Sequence, residues 1–202
     1  MMEDADRYRV VTGAGEGHFR DRASKFLGFA HPATSLLEVK GLVADLRKAH
    51  PGARHFCHAS VFGPDGAEQR SNDDGEPSGT AGRPILRQIV AAGCTDTAVV
   101  VVRYFGGTLL GKGGLVQAYG EAARLALLAA PTVDRWRMTV LEVRCAHAHF
   151  QPLRLDVERA GGRIRKAAFH ALCELVVELP RSIAPCTMER WRQRGMSVTA
   201  ST

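Results

Sequence analysis

Two glycine-rich stretches hold the residues whose types and spacing could do chemistry: Ser71-Asn-Asp-Asp-Gly-Glu-Pro-Ser-Gly-Thr-Ala-Gly82 and Arg103-Tyr-Phe-Gly-Gly-Thr-Leu-Leu-Gly-Lys-Gly-Gly114. Together they carry eight of the chain's 21 glycines. Glycine loses more backbone freedom on folding than any other residue, so this density implies positive φ angles or close backbone approach, either in tight packing or in a site. The second stretch contains Gly106-x-x-x-x-Gly111-Lys112, most of a P-loop, between an apolar strand-like run and a helix-like pattern. A P-loop needs a Ser or Thr hydroxyl for magnesium at the next position, and this chain has Gly113. P-loop hydrolysis is therefore not expected. A weaker expectation stands: the exposed N–H groups of Gly106, Gly107, Gly111 and Gly113 at a helix start, with Arg103 and Lys112 beside them, would attract a phosphate or carboxylate. The alternative is that the glycines only permit a tight strand-to-helix turn.

In the first stretch, Asp73, Asp74 and Glu76 form a carboxylate cluster. It is incomplete as a metal or acid–base site, because no helix or strand fixes the three side chains. Two structural roles compete with a ligand-binding one. Asn72 and the two aspartates would bond nearby backbone N–H groups in a turn, or the acidic loop would lie against the helix start near Gly113 or pair with Arg103. His55-Phe-Cys-His58 offers no metal pair, since His55 and Cys57 share one face of a strand and His58 points to the other. His55 with Cys57 as a nucleophile pair lacks a visible orienting group. No catalytic residue, metal or cofactor is expected.

Residues 135–202 carry 12 Lys/Arg against 6 Asp/Glu, while residues 1–134 carry 15 of each, so the whole net charge of +6 lies in the last third. Arg163, Arg165 and Lys166 fall on an expected hairpin, and Arg190, Arg192 and Arg194 on an expected last helix. If both elements present one face, this is an RNA or ribosome footprint; otherwise it is a solvated surface. Exposed aromatics for base stacking are scarce, with Phe169 the only nearby candidate. That scarcity favours backbone contact over sequence reading, of DNA as of RNA.

The elements that must position these residues follow from periodicity. Tyr8 to Thr12 and Phe26 to Ala30 read as short strands, with Gly13, Gly15 and Gly17 as a turn or bulge between them. Ser35-Leu-Leu-Glu38 is a capping box for a helix ending near Pro51. A strand at 54–62 and a helix at about 80–92 follow. The run 97–105 is apolar on both faces, as a central strand should be, and leads into a helix at about 114–129. Beyond Pro131 the pattern restarts as β-α-β-β-α-β, the ferredoxin-like split, with its first helix following Pro152. The expected fold is α+β in two domains, 1–134 and 135–202.

Composition is that of an ordinary soluble globular protein, with 45% hydrophobic and 24% charged residues. No apolar run is long enough for a bilayer, the acidic start lacks signal-peptide features, and five widely spaced cysteines read as reduced cytosolic thiols. A cytoplasmic protein without a membrane partner is expected.

Ser24-Lys-Phe26, Arg54-His55, Asp73-Asp-Gly-Glu-Pro77 with Gly79-Thr-Ala-Gly82, and Val100-Val-Val-Arg-Tyr-Phe-Gly-Gly107 with Gly111 and Gly113-Gly-Leu115 resemble the IMPACT family, in its bacterial YigZ branch. The resemblance covers most of residues 20–130. It implies an N-terminal domain similar to domain IV of elongation factor G and to the GHMP-kinase N-domain, and a C-terminal domain similar to domain V of that factor. Eukaryotic relatives add an N-terminal RWD domain and restrain a translation kinase through its partner contacts; that domain is not expected in this chain. The implied function is a non-catalytic, translation-linked protein that contacts RNA or the ribosome through its basic C-terminal domain. The alternatives are a binder or enzyme for a phosphorylated small molecule at the two glycine-rich loops, and a docking module for a regulatory protein.

Overall fold

The computed structural model describes residues 4–201; Met1, Met2 and Glu3 of the acidic start and the final Thr202 lie outside the described residues. The chain divides into two compact units, Tyr8–Arg135 and Trp136–Thr202, the second joined by the segment that ends at Arg7. Residues 4–7 belong with the second unit. The reason is Asp6: its carboxylate accepts the Ser182 N–H and hydroxyl, and its carbonyl accepts the Arg137 N–H.

The first unit runs β1 (Arg7–Val11), β2 (Gly15–Asp21), β3 (Ser24–Pro32), α1 (Leu36–Ala49), β4 (His55–Phe62), β5 (Glu68–Asn72), α2 (Gly82–Ala91), β6 (Cys94–Thr95), β7 (Thr97–Tyr104), α3 (Gly111–Ala129) and β8 (Thr132–Trp136). Five strands form an antiparallel sheet in the order β2-β3-β7-β4-β5. The expectation for β7 is met: it is the central strand, buried on both faces. Val99 and Val101 pack with Ile85, Ile89 and Tyr119 under α2 and α3. Val100 and Val102 pack with Phe29, Leu46 and Phe56 on the α1 side. A small sheet of order β6-β1-β8 completes the unit.

The stretch around Gly15 and Gly17 is a strand, not the expected turn. Its glycines serve close approach instead: a Cβ at Gly17 would meet the Ala126 nitrogen at 2.3 Å, and one at Gly28 of β3 would meet the Ala122 carbonyl oxygen at 2.3 Å. The alanine-rich helix α3 therefore sits with its backbone almost on the sheet. Helix α3 also begins three residues before its expected start, so Gly113 and Gly114 lie in its first turn.

The second unit runs β9 (Met138–Cys145), α4 (His147–Arg159), β10 (Arg163–Phe169), β11 (Cys173–Pro180), α5 (Ala184–Gln193) and β12 (Ser197–Ala200), the expected order of types. Its antiparallel sheet is ordered β10-β11-β9-β12. One face packs Leu141, Val143, Leu175 and Val177 against Leu153, Val157 and Trp191 of the two helices. Helix α4 starts before Pro152 and contains it, so the helix does not wait for the proline as expected. Among the described residues no helix is long and apolar enough to cross a membrane.

Candidate functional site

The two glycine-rich stretches meet at one end of the β4–β7 pair. Arg103, near the end of β7, lies directly opposite His55 of β4 and, on the other side, opposite Phe26 of β3. This face is covered by α3, and the Arg103 side chain is only 6% exposed. A guanidinium at such depth needs a carboxylate. Glu76 supplies it from the first stretch: Arg103 Nη1 donates to Glu76 Oε1 at 2.6 Å, and the Tyr119 hydroxyl of α3 donates to the same oxygen at 2.7 Å. The expected pairing of the acidic loop with Arg103 is thus present, made by Glu76. Burial, followed by the nearby Cys57 and Glu76, pushes the Tyr119 phenol far above its ordinary value, so it stays a donor.

The loop that carries Glu76 is held by its two aspartates. Asp73 accepts the N–H groups of Gly79, Ala81 and Gly82. It caps α2 from outside, since Ala81 at the cap position has no side-chain acceptor. Asp74 accepts the Phe56 N–H and pairs with Arg47 of α1, while the Asn72 side-chain Oδ1 accepts the Asp74 N–H. Asp74 and Gly75 have φ of 41° and 85°, the left-handed conformation that turns Glu76 inward. Both aspartates make hydrogen bonds that hold the loop. Among the described residues no cluster suited to a metal is found.

Asp73 also makes stability depend on pH. Its partial burial opposes the charge, but the three N–H donors and Arg83 outweigh this and hold its pKa below the ordinary carboxylate value. Stability from a depressed carboxyl is present above the unfolded pKa and lost as pH falls through the folded one. Asp73→Asn is expected to cost about 1–2 kcal/mol at neutral pH and to flatten the fall in stability below the ordinary carboxylate pKa. Urea unfolding across pH checks both.

His55 gains the orienting group that the sequence did not reveal. Its Nδ1 lies 2.8 Å from the Asp74 carbonyl oxygen. A carbonyl only accepts, so Nδ1 carries the proton and Nε2 faces Glu76 Oε1 at 4.0 Å. Cys57 is no nucleophile: it is fully buried, its Sγ–H donates to the Asp73 carbonyl, and burial raises its pKa well above the ordinary thiol value.

The second stretch divides. Gly106 is structural: a Cβ there would lie 2.1 Å from the Ala23 carbonyl carbon, and its N–H donates to Ser24 Oγ, so it is not free for an anion. Gly107 and Gly111 have φ of 84° and 70°. Gly111, Lys112 and Gly113 are exposed and form the first turn of α3, and no side chain caps that end. Beside it opens a cavity of about 400 Å³ lined by Arg54, His55, Glu76, Arg103, Phe105, Leu115 and Lys112 among others. The loops therefore bury one polar cluster together and leave a cleft next to it.

The six basic residues of the second unit do not form one patch. Arg163, opposite Glu178, and Arg165 both pair with that carboxylate on the sheet face away from the helices; Lys166, opposite Val176, shares that face. Arg190 and Arg194 pair with Asp156 on the helix side, and Arg192 donates to the Val198 carbonyl. Phe169, opposite the inward Cys173, packs edge-on against Phe150 of α4 and is not on the open face.

Residues 22–127 match the Impact N-terminal domain. The chain is 37% identical over 161 residues, 79% of each chain, to a protein of Escherichia coli (strain K12) described as IMPACT family member YigZ. It is 32% identical over 158 residues, 77% of each chain, to an IMPACT family member of Haemophilus influenzae. A crystal structure described as that of a hypothetical protein aligns over 98% of both chains with a TM-score of 0.66 and 29% identity.

Proposed function

We propose that this chain, which belongs to the IMPACT family, is a non-catalytic, translation-linked cytoplasmic protein that contacts RNA, free or in the ribosome, through the open face of its β9–β12 sheet. The observation that carries this reading is the ratio of charges around Glu178. Two guanidinium groups, Arg163 and Arg165, share one buried carboxylate, so the cluster keeps a net positive charge and unused donors. Lys166 extends it on the same face, and no helix of this unit covers that face. The face has no aromatic for base stacking, which suits phosphate contact that ignores sequence. The strand order β10-β11-β9-β12 also supports a ferredoxin-like unit akin to domain V of elongation factor G, and the family supports the domain IV likeness of the first unit. The footprint is narrower than the sequence suggested, because the α5 arginines lie on the other side.

The test is single-stranded RNA binding by the full chain across a salt series. Arg163→Gln with Lys166→Gln leaves Arg165 to satisfy Glu178. The double variant is expected to weaken binding at every sequence and to lower the slope of log K against log salt by about 1.4, or 0.7 per lost phosphate contact. Arg190→Gln with Arg194→Gln should change the slope little. An absence of RNA affinity at about 50 mM salt, where such contacts are strong, would overturn the reading.

A further inference from the structure

We propose that the cleft of the first unit binds a small phosphate monoester with a planar apolar body, its phosphate at the first turn of α3 and its body against Phe105 and Leu115. This site lies in a different unit from the proposed RNA face and does not depend on it.

Three observations point there together. The first is the charge of the cavity wall. It carries Arg54, Arg103 and Lys112 against one carboxylate, Glu76, whose Oε1 is already taken by Arg103 and Tyr119. After that pair cancels, two cations remain beside the positive end of α3. A monoester carries about −1.5 to −2 charges at neutral pH, a closer match than a monocarboxylate.

The second is an unfilled donor. Arg103 is buried and lines the cavity, yet its Nε has no hydrogen-bond partner. An unmade bond at a buried donor is unfavourable, and a ligand oxygen would complete it once the side chain turns toward the cavity. The third is the bareness of the helix start. Leu110 offers no cap, and nothing lies within 4 Å of where a Cβ would stand at Gly111 or Gly113. At Gly111 and Gly113 the first turn is thus open to an anion, while at Gly114 the Asp21 carboxylate stands 3.8 Å from the Cβ position. Phe105 and Leu109 are exposed apolar side chains at the same cavity, Phe105 against the Arg103 guanidinium. A lining that joins charge to hydrocarbon selects a ligand with one end of each kind.

The probes are phenyl phosphate, inorganic phosphate and phenol, titrated calorimetrically into the full chain. Phenyl phosphate is expected to bind at least about tenfold more tightly than inorganic phosphate, since burying the ring adds about 1.4 kcal/mol or more. Phenol should not bind measurably. Lys112→Ala and Arg54→Ala, both exposed and without structural partners in the core, should each weaken phenyl phosphate about tenfold with Tm unchanged. Phe105→Ala should erase the advantage of phenyl phosphate over inorganic phosphate. Arg163→Gln should change nothing, which separates this site from the RNA face. Equal affinity for the two phosphates, full retention in Lys112→Ala, or no binding of phenyl phosphate up to about 10 mM, beyond the millimolar limit of a useful site, would each overturn the proposal.

Discussion

Glu76→Ala is expected to destabilise the first unit by about 3–5 kcal/mol, because it leaves the buried Arg103 guanidinium without its counter-charge. The side chains are 4% and 6% exposed, so water cannot take over the lost bond without opening the fold. Tyr119 loses its acceptor at the same time, and its buried hydroxyl adds to the loss. The loop itself would survive, since Asp73 and Asp74 hold it through separate bonds. The damage should therefore be confined to the end of the sheet where α3 begins. Glu76→Gln keeps an acceptor oxygen and should cost less, because the charge alone is lost. Glu76→Leu combined with Arg103→Met removes both charges and should recover much of the loss, as paired apolar replacements of buried ion pairs do. If Glu76→Ala unfolded in urea like the parent protein, the buried pair would have no structural weight. Both tryptophans, Trp136 and Trp191, lie outside Tyr8–Arg135. Trp136 also ends β8 of the small sheet, so fluorescence does not isolate either unit, and amide exchange in β3 and β7 gives the separate reading of the first.

Gly28→Val is expected to prevent the first unit from folding at all. The new Cβ would sit 2.3 Å from the Ala122 carbonyl oxygen, and this is backbone that cannot swing aside as a side chain does. Gly28 lies between Leu27 and Phe29 on β3, beside the central β7, so the strand cannot retreat either. Relief would require α3 to lift off the sheet, exposing Ala118, Tyr119, Ala122 and Ala126. Losing that burial is comparable with the usual stability of a domain, about 5–15 kcal/mol. The expected outcome is insoluble or exchange-unprotected protein, while Gly41→Ala, in open space on α1, should be neutral or stabilising. A soluble Gly28→Val protein with native amide protection would contradict the packing.

What could be read from the sequence depended on whether a residue's role was local. The apolar run of β7 announced a central strand, because burial on both faces is written in consecutive residues. Ser35 announced the start of α1, where its Oγ accepts the Glu38 N–H as a cap should. Glu76 did not announce its burial. Its neighbours are Gly75 and Pro77, and its partners stand 27 and 43 residues away. Strand β2 is hidden for a related reason: glycines that admit a distant helix look like turn residues. The split of the basic residues was hidden too, since facing depends on which side of the sheet the helices cover. Pro152 suggested a boundary, yet α4 accommodates it in its second turn. The family resemblance reached residues that periodicity could not, because the Asp-Asp-Gly-Glu-Pro run marks the loop whose Glu lies under α3.

The seating of α3 on bare glycine has a mechanical consequence. Where Gly15, Gly17 and Gly28 meet the C-terminal half of α3, no side chain stands between helix and strand, so that part of the contact contains nothing that can change rotamer and absorb a displacement. There helix and sheet shift together. The helix is 19 residues long, about 28 Å at 1.5 Å per residue, and it runs from the approachable turn at Gly111 to Ala129, just before β8. A push at one end is therefore delivered at the other with little damping, as through a stiff rod rather than a spring.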